Sequence, residues 1–209
     1  MSERLDVLNP AGLPTEERKA RDEVHRDGDL HRTFHLWIVR EGRNVLMQRR
    51  SQSKDLEPGK LDVAVGGHFG AGETLPDVLR EVEEELGFRV SLGELEYLCT
   101  FHALREYEGL RDNELQETYL LRRDAPLESY TLNLDEVDVL YELPLEGALG
   151  LFRNGTPLAA PGYDAYGRQN NALLVADDLI EQARDEVVQR LSQIKALIGS
   201  TEATSELNM

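Results

Sequence analysis

From His31 onward apolar and other residues alternate with the period of a β-strand, Phe34, Leu36 and Ile38 interleaving with His35, Trp37 and Val39. The turn "EGRN" follows, and "VLMQRR" reads as the returning strand of a hairpin. "SQSKDLEPGK" is a loop, and "LDVAVGGH" is one short apolar strand running into glycines. "RVSLGELEYLCTFHAL" and "LQETYLLRRDA" read as two further strands, and "DEVDVLYELPLEGALGLFRNG" as a strand, a turn and a short helix. "GYDAYGRQNN" is a loop. Beyond it, apolar residues at Leu173, Ala176, Ile180, Ala183, Val187, Leu191, Ile194 and Ile198 keep a helical period. That helix is amphipathic, so it packs either on its own core or against a second subunit as a homodimer. Residues 199–209 are expected to be a disordered tail.

A second helical pattern lies at Thr74–Leu86. At about 100° per residue, Leu75, Val78, Leu79, Val82 and Leu86 fall on one stripe that faces the core. Thr74 is the expected N-cap with Asp77 as its box partner, Pro76 sits in the first turn, and Gly87 suits a left-handed C′ position. The remaining positions hold Glu81, Glu83, Glu84 and Glu85 within five residues. Glu81, Glu84 and Glu85 converge with Arg80 on one flank, while Glu83 points away into solvent.

Charge sharpens the question this cluster raises. The chain has 209 residues and a formal charge of −17, so crowding carboxylates has an electrostatic cost. Either water screens a solvated helix face, or a cation sits among the glutamates. Clustered oxygen ligands suit a hard divalent cation, Mg²⁺ or Mn²⁺, and the lead-in "GGHFGAGE" is a loop whose backbone can approach a ligand closely. The acidity argues against duplex nucleic acid as a partner, since that needs Lys and Arg on phosphates. A single cysteine, Cys99, excludes an internal disulfide framework and a Cys-rich zinc site, and packing is its ordinary role. The first residues hold no apolar leader segment and no run of 18 apolar residues occurs, so no membrane partner and a cytoplasmic location are expected.

Together these residues resemble the Nudix box, G-x5-E-x7-R-E-U-x-E-E-x-G-U, where U is bulky and apolar. Gly67-x5-Glu73 is intact, as is Arg80-Glu81-Val82-x-Glu84-Glu85-x-Gly87-Phe88. The spacer between Glu73 and Arg80 is six residues, one short, and the loop is expected to absorb the difference. The resemblance implies an α+β fold, the Nudix α/β/α sandwich with a mixed sheet, here with a long C-terminal helix. It implies an N-terminal extension over 1–29 packing on the core, a Nudix domain over 30–160, and a loop and C-terminal helix over 161–198. By position, Glu81, Glu84 and Glu85 would bind divalent ions with the Gly67 carbonyl, Arg80 would orient a box glutamate, and Glu73 would support from behind. The implied reaction is metal-dependent hydrolysis of a diphosphate linkage in a nucleotide or small phosphorylated metabolite.

"LHRTFHLWIV", "LMQRRSQSKDLEPGKLDVAVGGHF" and "DNELQETYLL" are further similar to the branch that includes type I isopentenyl-diphosphate isomerase. By that match His25, His31 and His68 are candidate nitrogen ligands, Glu114 is a carboxylate from the later strand and a candidate base, and Arg50 with Lys54 bind substrate phosphate. His31 and His35 also stand at strand spacing, which equally suits residues lining a sheet, and Glu114 and Glu117 equally suit a soluble edge strand. The branch's catalytic cysteine position holds Gly66. Tyr163, Tyr166 and Arg168 are candidates to stack on a base or to pack as a surface turn. Three functions follow from the resemblance: a diphosphate hydrolase, an isomerase-like enzyme, or a non-catalytic ligand-binding module.

Overall fold

A computed structural model describes residues 3–107 and 109–206, with side chains as far as residue 200. Strands β1 (Arg4–Leu8) and β2 (Pro14–Ala20) and helix α1 (Arg21–Asp27) precede β3 (His31–Arg40), β4 (Asn44–Arg50), β5 (Leu61–Val63) and β6 (Val65–His68). Helices α2 (Leu75–Val78) and α3 (Arg80–Leu86) follow, then β7 (Leu95–Tyr107), β8 (Leu110–Arg122), β9 (Val137–Pro144) and α4 (Leu145–Asn154). The chain closes with β10 (Leu158–Ala160), β11 (Gly162–Asp164), β12 (Ala172–Leu174) and α5 (Arg184–Glu206). The fold class is α+β.

The described residues form two compact units, Met1–Leu36 with Val65–Tyr119, and Trp37–Ala64 with Leu120–Met209. In the first unit the N-terminal segment is a hairpin and a helix. β1 and β2 pair antiparallel, and Leu5, Val7 and Val24 form a buried cluster. The hairpin is tied to the glycine loop: Ala71 N–H donates to the Arg4 carbonyl (2.7 Å) and Gly72 N–H to Asp6 Oδ2 (2.6 Å). β6 pairs antiparallel with the start of β3, placing His68 opposite Thr33. β7 and β8, 13 residues each, are longer than their apolar cores suggest. Polar residues recur along both, exposed mainly on β7 and often buried on β8, and the hairpin ladder satisfies backbone groups regardless of side-chain polarity.

The acidic helix starts as expected. Thr74 N–H and Oγ1 both donate to Asp77 Oδ2 (2.9 and 2.6 Å), and Gly87 closes the helix at φ +75°. It is not continuous. Leu79 interrupts it with φ −63° and ψ −11°, and the Val82 N–H bonds back to the Leu79 carbonyl in a tighter turn. The irregularity therefore lies within the six-residue spacer and in the helix, rather than wholly in the preceding loop. Val78, Leu79, Val82 and Leu86 are buried, as the stripe predicts.

In the second unit the end of β3 pairs with β4 (Ile38 opposite Leu46) across a turn where Glu41 adopts φ +52°. β4 pairs with β5 and β9, β9 with β11, and a parallel bridge joins Leu61 to Leu179. Leu61–His68, read from sequence as one strand, is thus two strands with different partners. The closing helix is shorter at its start than the apolar spacing predicts. Leu173 pairs with Ala159 in a small sheet, and short 3-10 turns occupy Ala176–Asp178 and Glu181–Ala183. Asp178 Oδ2 accepts the Val175 N–H (2.8 Å), an alternative to helical bonding that Asp supplies readily. At its other end α5 runs on through 199–206, which the sequence assigns to the tail, and 207–209 lie outside the described residues.

α5 packs on α4 of its own chain. Arg184 Nη2 donates to the Phe152 carbonyl (3.1 Å), Arg153 Nη2 to Ser192 Oγ (2.7 Å), and Lys195 pairs with Glu146 (2.5 Å). Among the described residues no helix is long and apolar enough to cross a membrane. The revised helix start has a direct consequence. Leu191 is fully buried whereas Leu173 is 64% exposed. Leu191→Ala is expected to destabilise the protein by about 2–4 kcal/mol in urea melts, and Leu173→Ala by less than about 0.5 kcal/mol.

Candidate functional site

The candidate residues of the first unit gather in two clusters, and β6 supplies a residue to each. The acidic cluster is organised by Arg80. Its Nε lies 3.3 Å from Glu73 Oε1, its Nη1 bonds Glu81 Oε1, and its Nη2 lies 3.6 Å from Glu3 Oε1. Three carboxylates from three segments thus share one planar fork. Glu73 also accepts the Gly70 N–H through Oε2 at 2.7 Å, so it fixes the glycine loop to the helix start. Gly67 lies against Glu81 so closely that a Cβ there would sit 2.5 Å from Glu81 Cγ. A Cβ here would force the Glu81 side chain to shift. Glu85 is buried, Glu84 is exposed beside it, and Glu83 turns outward to pair with Arg89 at 2.8 Å. Burial raises the Glu3 carboxyl above its usual range; Arg21 and Arg80 oppose this, while Glu73 and Glu84 add to it. Glu3 therefore belongs to the same electrostatic neighbourhood. Nothing in the sequence signals it, because it lies some 70 residues from the box.

The second cluster is built on imidazoles. His25 comes from α1, His31 from the start of β3 and His68 from the end of β6. Their ring centroids form a nearly equilateral triangle with sides of 5.2, 5.3 and 5.2 Å. One nitrogen from each lies within 4.8 Å of the other two, and His31 forms a second such group with Asp112 and Glu114. Asp112 Oδ1 is 3.8 Å from both His25 Nε2 and His31 Nε2. His31 Nδ1 lies 3.0 Å from the Asp29 carbonyl, which can only accept, so Nδ1 carries the proton and Nε2 presents its lone pair to the cluster. That Nε2 is fully buried with no hydrogen-bond partner. Burial also lowers the His31 pKa, against the raising influence of Glu114, which keeps the imidazole neutral. A buried imidazole with an oriented lone pair beside two carboxylates has the donor chemistry that could hold a divalent metal accepting nitrogen ligands.

Glu114 settles one alternative left open by the sequence. It is buried rather than an edge-strand surface residue, and its Oε2 accepts hydrogen bonds from Arg105 Nη1 (3.2 Å) and Gln116 Nε2. Burial pushes its carboxyl up, but His35, Arg105, His31 and the Gln116 amide together hold it below the usual range. Glu117 instead forms a structural pair, accepting from Arg32 Nε and Nη2 (2.9 and 2.6 Å). Asp112 was missed, although it stands two residues before Glu114, the spacing that shares a strand face. Arg50 and Lys54 belong to the second unit. There Arg50 binds Asp62 (2.8 Å) and the Leu56 carbonyl (3.2 Å), and Lys54 pairs with Glu136. Arg168 clips onto Asp164 (2.8 Å) and lies over the Tyr166 ring, as a surface turn would.

The NUDIX domain profile matches residues 29–156. The chain belongs to the Nudix family. Nudix hydrolase 3 of Arabidopsis thaliana is 37% identical over 171 residues, which is 79% of this chain and 22% of that protein. This chain thus spans about a fifth of that Nudix relative. The isopentenyl-diphosphate Delta-isomerase of Escherichia coli is 29% identical over 137 residues, 65% of this chain and 74% of the isomerase. Among solved structures, DR0079 from Deinococcus radiodurans superposes with a TM-score of 0.59 at 26% identity, covering 73% of this chain and 90% of that one. The Nudix box match therefore extends to the fold that presents it.

Two outcomes follow from this geometry. Gly67→Ala must displace Glu81, so Mn²⁺ uptake measured by calorimetry is expected to weaken about 10-fold, with melting changed by only a few degrees. His31 gives a pH dependence. Unfolded, it titrates near the ordinary 6.5, and folded, below that. As pH falls through this window the unfolded chain binds a proton that the folded chain refuses, so stability is lost. In chelator-treated protein, urea melts at about pH 7.5 and about pH 5.5 are expected to show this loss, and His31→Gln to reduce it.

Proposed function

We propose that this chain is a divalent-metal-dependent hydrolase that cleaves a diphosphate linkage in a nucleotide or small phosphorylated metabolite. The observation that carries the reading is the Arg80 fork, which orders Glu73 and Glu81 on a glycine loop that approaches them closely. In this assignment Glu81, Glu84, Glu85 and the Gly67 carbonyl would hold Mg²⁺ or Mn²⁺, which fits their all-oxygen chemistry. His25, His31 and His68 with Asp112 and Glu114 would hold a second ion of a kind that accepts imidazole, such as Zn²⁺ or Mn²⁺. The ions would neutralise phosphate oxygens and lower the pKa of a water. Glu84, exposed at the edge of the acidic cluster, takes the proton as water attacks phosphorus and the bridging P–O bond breaks. Glu114, held by Arg105 and Gln116, is assigned to ligation rather than to the base role.

A second reading is favoured by the imidazole cluster together with the isomerase relative: proton transfer on an allylic diphosphate. Such a reaction needs an acid and a base on two sides of a carbon skeleton. Gly66 offers no side chain for either. The two readings separate in one assay. Nucleoside diphosphate derivatives, dinucleotides, non-nucleoside pyrophosphates and isopentenyl diphosphate are incubated with Mg²⁺ or Mn²⁺, and both phosphate products and allylic isomer are measured. Release of phosphate products, reduced about 100-fold by Glu81→Gln and Glu84→Gln with melting unchanged, is the expected result. Isomer formation without such release would replace the first reading by the second.

A further inference from the structure

The imidazole cluster carries more negative charge than its histidines reveal, and it contains its own counter-ion. Asp112 and Glu114 are both buried, and Arg105, from β7, is buried with them at 8% exposure. Arg105 Nη1 lies 3.2 Å from Glu114 Oε2 and 3.7 Å from Asp112 Oδ2. The other Asp112 oxygen, Oδ1, faces the His25 and His31 nitrogens at 3.8 Å each. The Asp112 carboxylate is thus divided, one oxygen toward the guanidinium and one toward the imidazoles. Glu114 Oε2 is committed on the same side, since it also accepts from Gln116.

Two buried carboxylates need a cation nearby, because an unpaired charge in a low-dielectric interior is strongly destabilising. With neutral imidazoles, Asp112, Glu114 and Arg105 sum to one negative charge, and a divalent ion turns that to one positive. Without the arginine the same states would carry two negative charges and none. We propose that Arg105 is a positioning residue and resident counter-ion of this centre. It holds one oxygen of each carboxylate away from the imidazoles, so that the fold survives without a bound ion and the ion meets each carboxylate through a single oxygen. The consequence is a trade: Arg105 supports the ion-free chain and weakens ion binding. The Gln116 amide also stabilises Glu114, so removal of Arg105 alone leaves partial compensation.

The inference rests on reading the cluster as a metal centre, and one set of melts tests the two apart. Wild type, Arg105→Met and Arg105→Lys are stripped with chelator and melted with and without added Zn²⁺. Arg105→Met is expected to melt about 10 °C below wild type when ion-free and to recover most of that loss with Zn²⁺. Its Zn²⁺-induced shift then exceeds that of wild type, and Arg105→Lys, which keeps the charge, stays near wild type in both states. Should Arg105→Met fold only with Zn²⁺ present, the inference gains the same support. Equal Zn²⁺-induced shifts in wild type and Arg105→Met would overturn it while leaving the metal centre in place. If wild type shows no Zn²⁺-induced shift and His31→Gln behaves identically, the metal centre and the inference fail together.

Discussion

Compensation of like charges is the constraint on which this molecule turns. A chain with an excess of acidic residues brings Glu3, Glu73 and Glu81 to one guanidinium, and Asp112 and Glu114 to another. Arg80 reaches back to Glu3 at the start of the chain as well as to its near neighbours Glu73 and Glu81, while Arg105 ties β7 to two carboxylates of the following strand β8. Charge-assisted hydrogen bonds of this kind are directional, and a planar fork fixes where each carboxylate oxygen points. Oxygen atoms that the arginines do not hold are the ones available to a divalent ion.

The N-terminal segment gains its importance from the same logic. It reads as a polar extension, yet it supplies a carboxylate to Arg80 and an imidazole to the second cluster, and its hairpin bonds to the glycine loop. A short hairpin and a seven-residue helix would be marginal alone. Burial of Leu5, Val7 and Val24 supplies the apolar contacts that hold it in place. The segment is thus tied to both clusters and to the glycine loop.

The two clusters also differ in chemistry. Glu81, Glu84 and Glu85 offer oxygen alone, and hard cations with several retained waters suit them. In the imidazole group His25 and His31 are buried and His68 half-buried, the Asp29 carbonyl orients the His31 ring, and one donor from each lies within 4.8 Å of the others. Such a group favours ions that bind nitrogen well.

The amino-acid sequence determined by itself whatever depends on local periodicity and backbone chemistry. The Thr74–Asp77 cap, the buried stripe of Val78, Val82 and Leu86, the left-handed Gly87 and the outward Glu83 all follow from residues within a few turns of one another. The resemblance added His31, His68 and Glu114 to that reading. Tertiary structure alone decided the rest, because non-local pairing is invisible to a local period. The segment from Leu173 to Ala183 fits a helix by spacing but is taken by a strand and tight turns. Glu3 joins Arg80, and Arg105 pairs with Asp112 and Glu114, only because folding brings residues from different elements within ion-pair reach. Periodicity tells which side chains share a face, whereas the partner of a buried charge is chosen by the three-dimensional path of the chain.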